Sequence, residues 1–242
     1  IFKPPTPLKN PNIPITLNPG IEGIPAIELI LNLEPRRVAF MPRAYAHIEL
    51  AARVLHRTPP RTPHPAPGAP SLGMRAWHHT AGDGLGVAVD MDLVNALCFE
   101  IWRSGVFQTR PTLPSPFDTF GEVELDALLP PVVEVTGSIE QPFEMVVSEL
   151  QMSIHRDGEP APDRYAISFR AGLAGSAHGG YVGIRLAGEP QVEVELLQAG
   201  SVAPLPGEQI GALITAVVWP QFRGLLDAGL GYGIEALVLN AE

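Results

Sequence analysis

Apolar and polar positions along this chain mark out two helices and a larger set of strands. The sharpest helix follows the short apolar run Leu85–Val89. Asp90 reads as its acidic cap, and Leu93, Val94, Leu97, Cys98, Ile101 and Trp102 fall on one face at three-and-four spacing. It ends near Ser104, with Gly105 as the stop. The longest helical signal is Gly207–Gly231, where Ile210, Leu213, Ile214, Val217, Val218, Phe222, Leu225, Leu226 and Leu230 keep the same rhythm. Pro220 falls inside it and predicts a kink, because it lacks a backbone donor and crowds the preceding turn. Gly229, Gly231 and Gly233 end this helix, and Ile234–Leu239 reads as a closing strand.

Strand signals fill most of the rest. Ala26–Leu33 and Val38–Leu55 come first, and Ile48, Leu50, Ala52 and Val54 alternate with their neighbours as in a sheet with one buried face. Val132–Thr136, Met145–His155, Arg164–Ala171, Tyr181–Ala187 and Gln191–Leu197 follow. Between them, Asp118–Leu129 reads as a shorter helix or turn, His155–Gly158 as a tight turn and Ala174–Gly180 as a glycine-rich, mobile loop.

Proline punctuates the chain. Residues 1–25 carry one every few positions and predict an extended lead-in. Thr58–Pro70 holds six prolines in thirteen residues, which excludes helix and central strand and predicts a stiff linker. The organisation expected is an arm with crossover strands (1–57), a proline-rich linker (58–70) and a domain over 71–242.

Composition narrows the function. A hydrophobic content of 45% in 242 residues is ample for a core. The net charge of −10 repels phosphate backbones and anionic headgroups, so the sequence predicts no nucleic-acid partner and no electrostatic grip on lipopolysaccharide. No run of about 18 apolar residues predicts a spanning helix. Neither an initiator methionine nor a signal peptide is present, and the Ile1–Phe2 start suggests a fragment, a processed form or part of something longer. Cys98 is the single cysteine, so no intrachain disulfide is expected; on the apolar helix face it reads as a small buried hydrophobe.

Candidate chemistry is sparse. His78 and His79 lie beside Asp83, but adjacent histidines on an extended segment point to opposite faces and do not converge on a metal. Gly82–Gly86 is glycine-rich without the strand, helix and lysine of a phosphate cradle. Ser176 and His178 lack a nucleophile elbow and cannot form a triad by themselves. Glu122, Glu124, Asp126, Glu193 and Glu195 alternate with apolar residues, as on a solvated face. The expectation is a protein without catalytic residues, metal or cofactor.

The order of elements is more telling. A proline-rich crossover leads to a strand and to the helix Asp92-Leu-Val-Asn-Ala-Leu, with Trp102, Gly105, Val106 and Phe107 after it. Antiparallel strands follow, then Pro204-Leu-Pro206, the long Pro-kinked helix and a final strand. This order, with Asn95, Trp102 and Gly105 in the helix pattern, resembles the C-terminal barrel of the bactericidal/permeability-increasing, lipopolysaccharide-binding and cholesteryl ester transfer family. The resemblance implies an α+β fold: a highly curved antiparallel sheet, a lipid-binding barrel, wrapped around two amphipathic helices, one long and Pro-kinked. Residues 1–57 would be crossover strands of a central sheet, with an N-terminal barrel or a protein partner missing. It implies non-catalytic binding or transfer of a phospholipid or sterol-type lipid, in the periplasm, at the outer membrane or outside the cell. The lining residues would be Leu93, Leu97, Ile101, Ile210, Ile214, Val217 and Val218. The alternatives are that these residues fill a dry core in a structural or interaction subunit of an envelope assembly, or that Ser176 serves an esterase-like enzyme.

Overall fold

The computed structural model describes residues 12–19, 25–41, 45–57, 59–71, 90–138, 141–178, 181–229 and 231–233; for 38–41, 45–48, 175–178, 181–185, 225–229 and 231–233 the backbone alone is described. The protein is α+β, with antiparallel sheets and two main helical runs.

The first sheet has the order β1-β2-β3, formed by β1 (Asn12–Leu17), β2 (Ile27–Met41) and β3 (Tyr45–His56). The expected extended lead-in thus contains a strand. Pro14, opposite Ile30, is compatible with it because among the described residues β1 pairs only with β2 and so has an open edge, where a residue without an N–H is tolerated. The proline at 35 also fails to end β2: the ladder with β3 shifts between Pro35 and Arg37 and continues to Met41. Ile15, Leu17, Leu29, Leu31, Leu33 and Val54 form the buried face. Outside, Asn32 donates to Asn12 at 2.7 Å and Arg57 approaches Glu28 at 3.7 Å.

The second sheet contains β4 (Gln108–Thr109), β5 (Glu122–Ala127), β6 (Val132–Val135), β7 (Phe143–His155), β8 (Asp163–His178), β9 (Tyr181–Gln198) and β10 (Gly231–Gly233). Its path is β10-β9-β8-β7-β5-β4, and β6 pairs with the first half of β7. The expected barrel is not closed among the described residues, because two- and three-residue strands end the path without pairing to each other. Three assignments change. Residues 122–127 form a strand rather than a helix or turn, preceded by a single 3-10 turn at Phe117–Phe120. The presumed loop at 174–178 is the end of β8, with Ser176 opposite Gly183 and His178 opposite Tyr181. The two strands expected at 181–187 and 191–197 are one strand, which absorbs Gly188-Glu-Pro190 as a bulge opposite Ala171.

Bulges also bend β7. Its ladder to β8 shifts between Val147 and Leu150, where Glu149 takes φ 57°. Leu128 donates to the Glu149 carbonyl at 3.0 Å, so the partner strand changes from β5 to β6 at that bend.

Helix α1 (Met91–Arg103) forms where expected. Asp90 accepts from the Asp92 amide at 3.0 Å, and Gly105 takes φ 81° past the end. It packs on β3 and β6. Fully buried Asn95 serves as a strand partner: its carbonyl oxygen accepts from Val133 N at 2.7 Å and its amide donates to Val133 O at 3.2 Å. Trp102, also fully buried, donates through Nε1 to Ala127 O at 2.7 Å. His56 and Arg103 both reach Glu100, joining β3 to the helix.

The second run comprises α2 (Gly207–Leu213), a π turn (Ile214–Val218) and α3 (Trp219–Gly229), packed on β9 and, through α3, on β1. Pro220 comes one residue after the π turn, which is closed by Trp219 donating to the Ile214 carbonyl. The wider turn accommodates a residue that can neither donate nor tolerate a tight preceding turn. The helix therefore stays continuous through Pro220. No helix among the described residues is long and apolar enough to cross a membrane.

Candidate functional site: an apolar crevice between sheet and helix

The seven residues expected to line a slot do not gather in one. Leu97, Ile101, Ile210, Ile214 and Val217 are buried in the continuous core, with Leu93 and Val218 half-buried against it. Those from α1 pack toward β3 and β6, those from the second run toward β9. Val218 alone among them lines the crevice that the structure does contain.

That crevice, about 30 Å³, lies where α3 meets β4, β5, β7 and β8. Phe107 and Thr109 enter from β4 and the turn before it, Leu125 and Ala127 from β5, Val147 and Leu150 from β7, Phe169 from β8. Val218, Gln221 and Phe222 supply the helical wall, and Val106 and Pro131 complete the lining. The lining holds no ionisable side chain; Thr109 and Gln221 are its polar members.

Aromatic contacts define its rim. Phe107 stacks on Phe222 across the seam, ring centres 5.1 Å apart, and Phe222 meets Phe169 edge-on at 5.5 Å. Trp219 stands edge-on to Phe169 at 6.0 Å. Strand alternation explains the wall, since Val123, Leu125 and Ala127 turn inward while Glu122, Glu124 and Asp126 turn outward.

Such a surface takes apolar groups and offers no acid, base or nucleophile. Cys98 is buried, and that burial pushes its thiol up to about 12, so it is a neutral packing group. No group of three or more metal-ligating side chains converges among the described residues. His78, His79, Asp83 and Gly82–Gly86 lie outside the described residues, as does the expected strand over 234–239. Ser176 and His178 are placed by backbone only, in β8.

A second, polar hollow of about 400 Å³ is lined by Asp118, Thr119, Gly121, Glu122, His155, Arg156 and Asp157. Arg156 donates through Nη1 to Ala203 O at 2.8 Å, and its Nη2 lies 3.6 Å from Asp163.

Sequence reasoning missed Phe107, Leu125, Leu150 and Phe169 as wall residues. Phe222 lies in the periodic helical stripe and Phe107 stands two residues after the Gly105 stop, so both carried a signal. Compared with known proteins, the chain matches no family model, no curated protein and no solved structure.

Proposed function

We propose that this protein binds a lipid, or another long apolar molecule, without catalysis, taking it into the seam between α3 and the second sheet. The observation that carries this reading is the largely apolar wall, with two neutral polar side chains and no ionisable group. Each methylene removed from water there contributes about 0.8 kcal/mol, so one long chain supplies on the order of 10 kcal/mol without a charged anchor. The π turn supports the reading as well, because it supplies Val218 to the wall, and such turns recur at functional positions. On the family resemblance the chain would be a wrapped-sheet lipid carrier of the cell envelope or the extracellular space.

Val218→Trp tests the reading. The indole fills the crevice, and binding of Nile red, an uncharged solvatochromic dye, is expected to weaken at least tenfold while the thermal midpoint moves by a few degrees. Leu97→Trp provides the contrast, overpacking the closed core by about 1–3 kcal/mol. Equal dye binding by wild type and Val218→Trp would remove the crevice from consideration.

A second reading, an interaction subunit with a filled core, draws on a different observation. The crevice as it stands holds about two waters, and Leu196, Leu197 and Val202 stand exposed at and beyond the end of β9. Replacing these three by serine would abolish assembly on that reading and leave dye binding unchanged on the first.

A further inference from the structure

The crevice is too small for a long apolar molecule until its seam parts, and the proline-rich segment sits behind the weaker wall. That wall is β4, two residues long, paired to β5 as Gln108 with Asp126 and Thr109 with Leu125, with one further backbone bond from Ala127 N to Phe107 O at 3.3 Å. Phe107, just before it, closes the seam against Phe222. Residues 59–71 do not run free past this wall. The amides of Arg61 and Thr62 donate to Arg103 O at 2.9 and 3.2 Å, using the open carbonyl at the end of α1. Gly105 makes room for them, since a Cβ there would lie 3.0 Å from Arg61 Cβ. Beyond, His64 stacks on Trp102 at 6.5 Å and its Nε2 lies 2.6 Å from Asp126 Oδ1. Trp102 Nε1 and Gln108 Nε2 both donate to Ala127 O, whose residue lines the crevice.

We propose that residues 59–70 form a clasp: by holding His64 on Trp102 and Asp126 they keep β4 seated and the Phe107–Phe222 seam shut, so release of the clasp admits the apolar ligand at the β4 edge. The clasp rests on the binding reading for its purpose, and on these contacts for its mechanics. A two-residue strand has little pairing of its own to resist opening, so a charge-assisted hydrogen bond behind it sets how often the wall leaves its seat. His64 and Asp126 act as one unit, which makes their replacement non-additive.

Hydrogen–deuterium exchange of the intact chain, with His64→Ala, Asp126→Ala and the double variant, tests this together with stopped-flow association of Nile red. The expected result is about tenfold to a hundredfold faster exchange in peptides covering 105–110 and 122–129, the same in the double variant as in either single one. Peptides from the middle of β7 and β8 keep their protection, and Nile red associates at least fivefold faster with similar final affinity. Unchanged exchange at 105–110 overturns the clasp, and so does a loss of protection that spreads equally to β7 and β8. Local loosening with an unchanged association rate overturns its role as a gate. If Nile red binds neither wild type nor variants at saturation, the binding reading itself fails and the gate with it; binding at equal rates sinks the gate alone.

Discussion

Trp102→Ala is expected to destabilise the protein by about 4 kcal/mol, within the range for deleting a buried indole. Trp102 joins three parts of the molecule. Its ring is fully buried, its Nε1 donates to Ala127 O at 2.7 Å, and His64 and Phe99 stack on it at 6.5 and 6.0 Å. Alanine removes all of these and leaves a cavity between α1 and β5. A typical domain has only about 5–15 kcal/mol in total, so the variant should unfold at a much lower urea concentration with an unchanged slope. Trp102→Phe keeps most of the packing and loses the hydrogen bond; it should cost about 1–2 kcal/mol. An alanine variant within 1 kcal/mol of wild type would contradict this placement of α1.

Asp163→Ala should cost on the order of 3–5 kcal/mol at neutral pH, as expected when one member of a buried charged network is removed. The buried carboxylate accepts from the Gly200 and Ser201 amides at 2.9 Å each and from the Ser201 hydroxyl at 2.7 Å, and it faces Arg156 at 3.6 Å. These contacts fasten the segment before α2 to the start of β8. The segment lies so close to the start of β8 that a Cβ on Gly200 would collide with the Ala161 and Pro162 carbonyls.

The same site dictates an acid response. Burial raises the Asp163 value, but the Ser201 hydroxyl, the Ser201 and Gly200 amides and the Arg156 charge together outweigh it and leave the carboxyl lowered. A native value below the unfolded one means stability that is complete above the ordinary aspartate value of about 3.9 and is lost as the pH falls through the native value. Wild type should therefore lose stability on acidification in that range, and Asp163→Asn should show a flatter limb from a lower plateau. Parallel acid limbs would remove Asp163 from the account. Tyr165, pushed up by burial and by Asp163, stays neutral beside it and donates to Leu205 O at 3.1 Å.

What the sequence conveyed was mainly local. Asp90, the apolar stripe and Gly105 act within one helix, and their reading as cap, face and stop matches α1. The strand at 132–135 and the long C-terminal helix were legible for the same reason. What escaped depends on partners distant in sequence. Pro14 is tolerated in β1 because that strand is an edge among the described residues, and Gly188-Glu-Pro190 forms a bulge between the Arg170 and Gly172 pairings. The charges at 122, 124 and 126 alternate in strand fashion, but the Phe117–Phe120 turn before them obscured the signal. Proline content pointed to an extended segment over 58–70; it could not show that His64 meets Asp126, 62 positions later. Helical periodicity identified buried stripes, yet a stripe buried in a core and one lining a crevice have the same spacing. Of the candidates, Val218 alone reached the crevice, beside wall residues contributed by four strands and turns.

Native mass spectrometry on protein purified without detergent, followed by lipid extraction, tests the central claim most directly. The account predicts a co-purifying apolar molecule near one per chain, displaced by Nile red and missing from Val218→Trp. A bare mass that agrees under native and denaturing conditions, together with no uptake of added phospholipid or sterol, would contradict it.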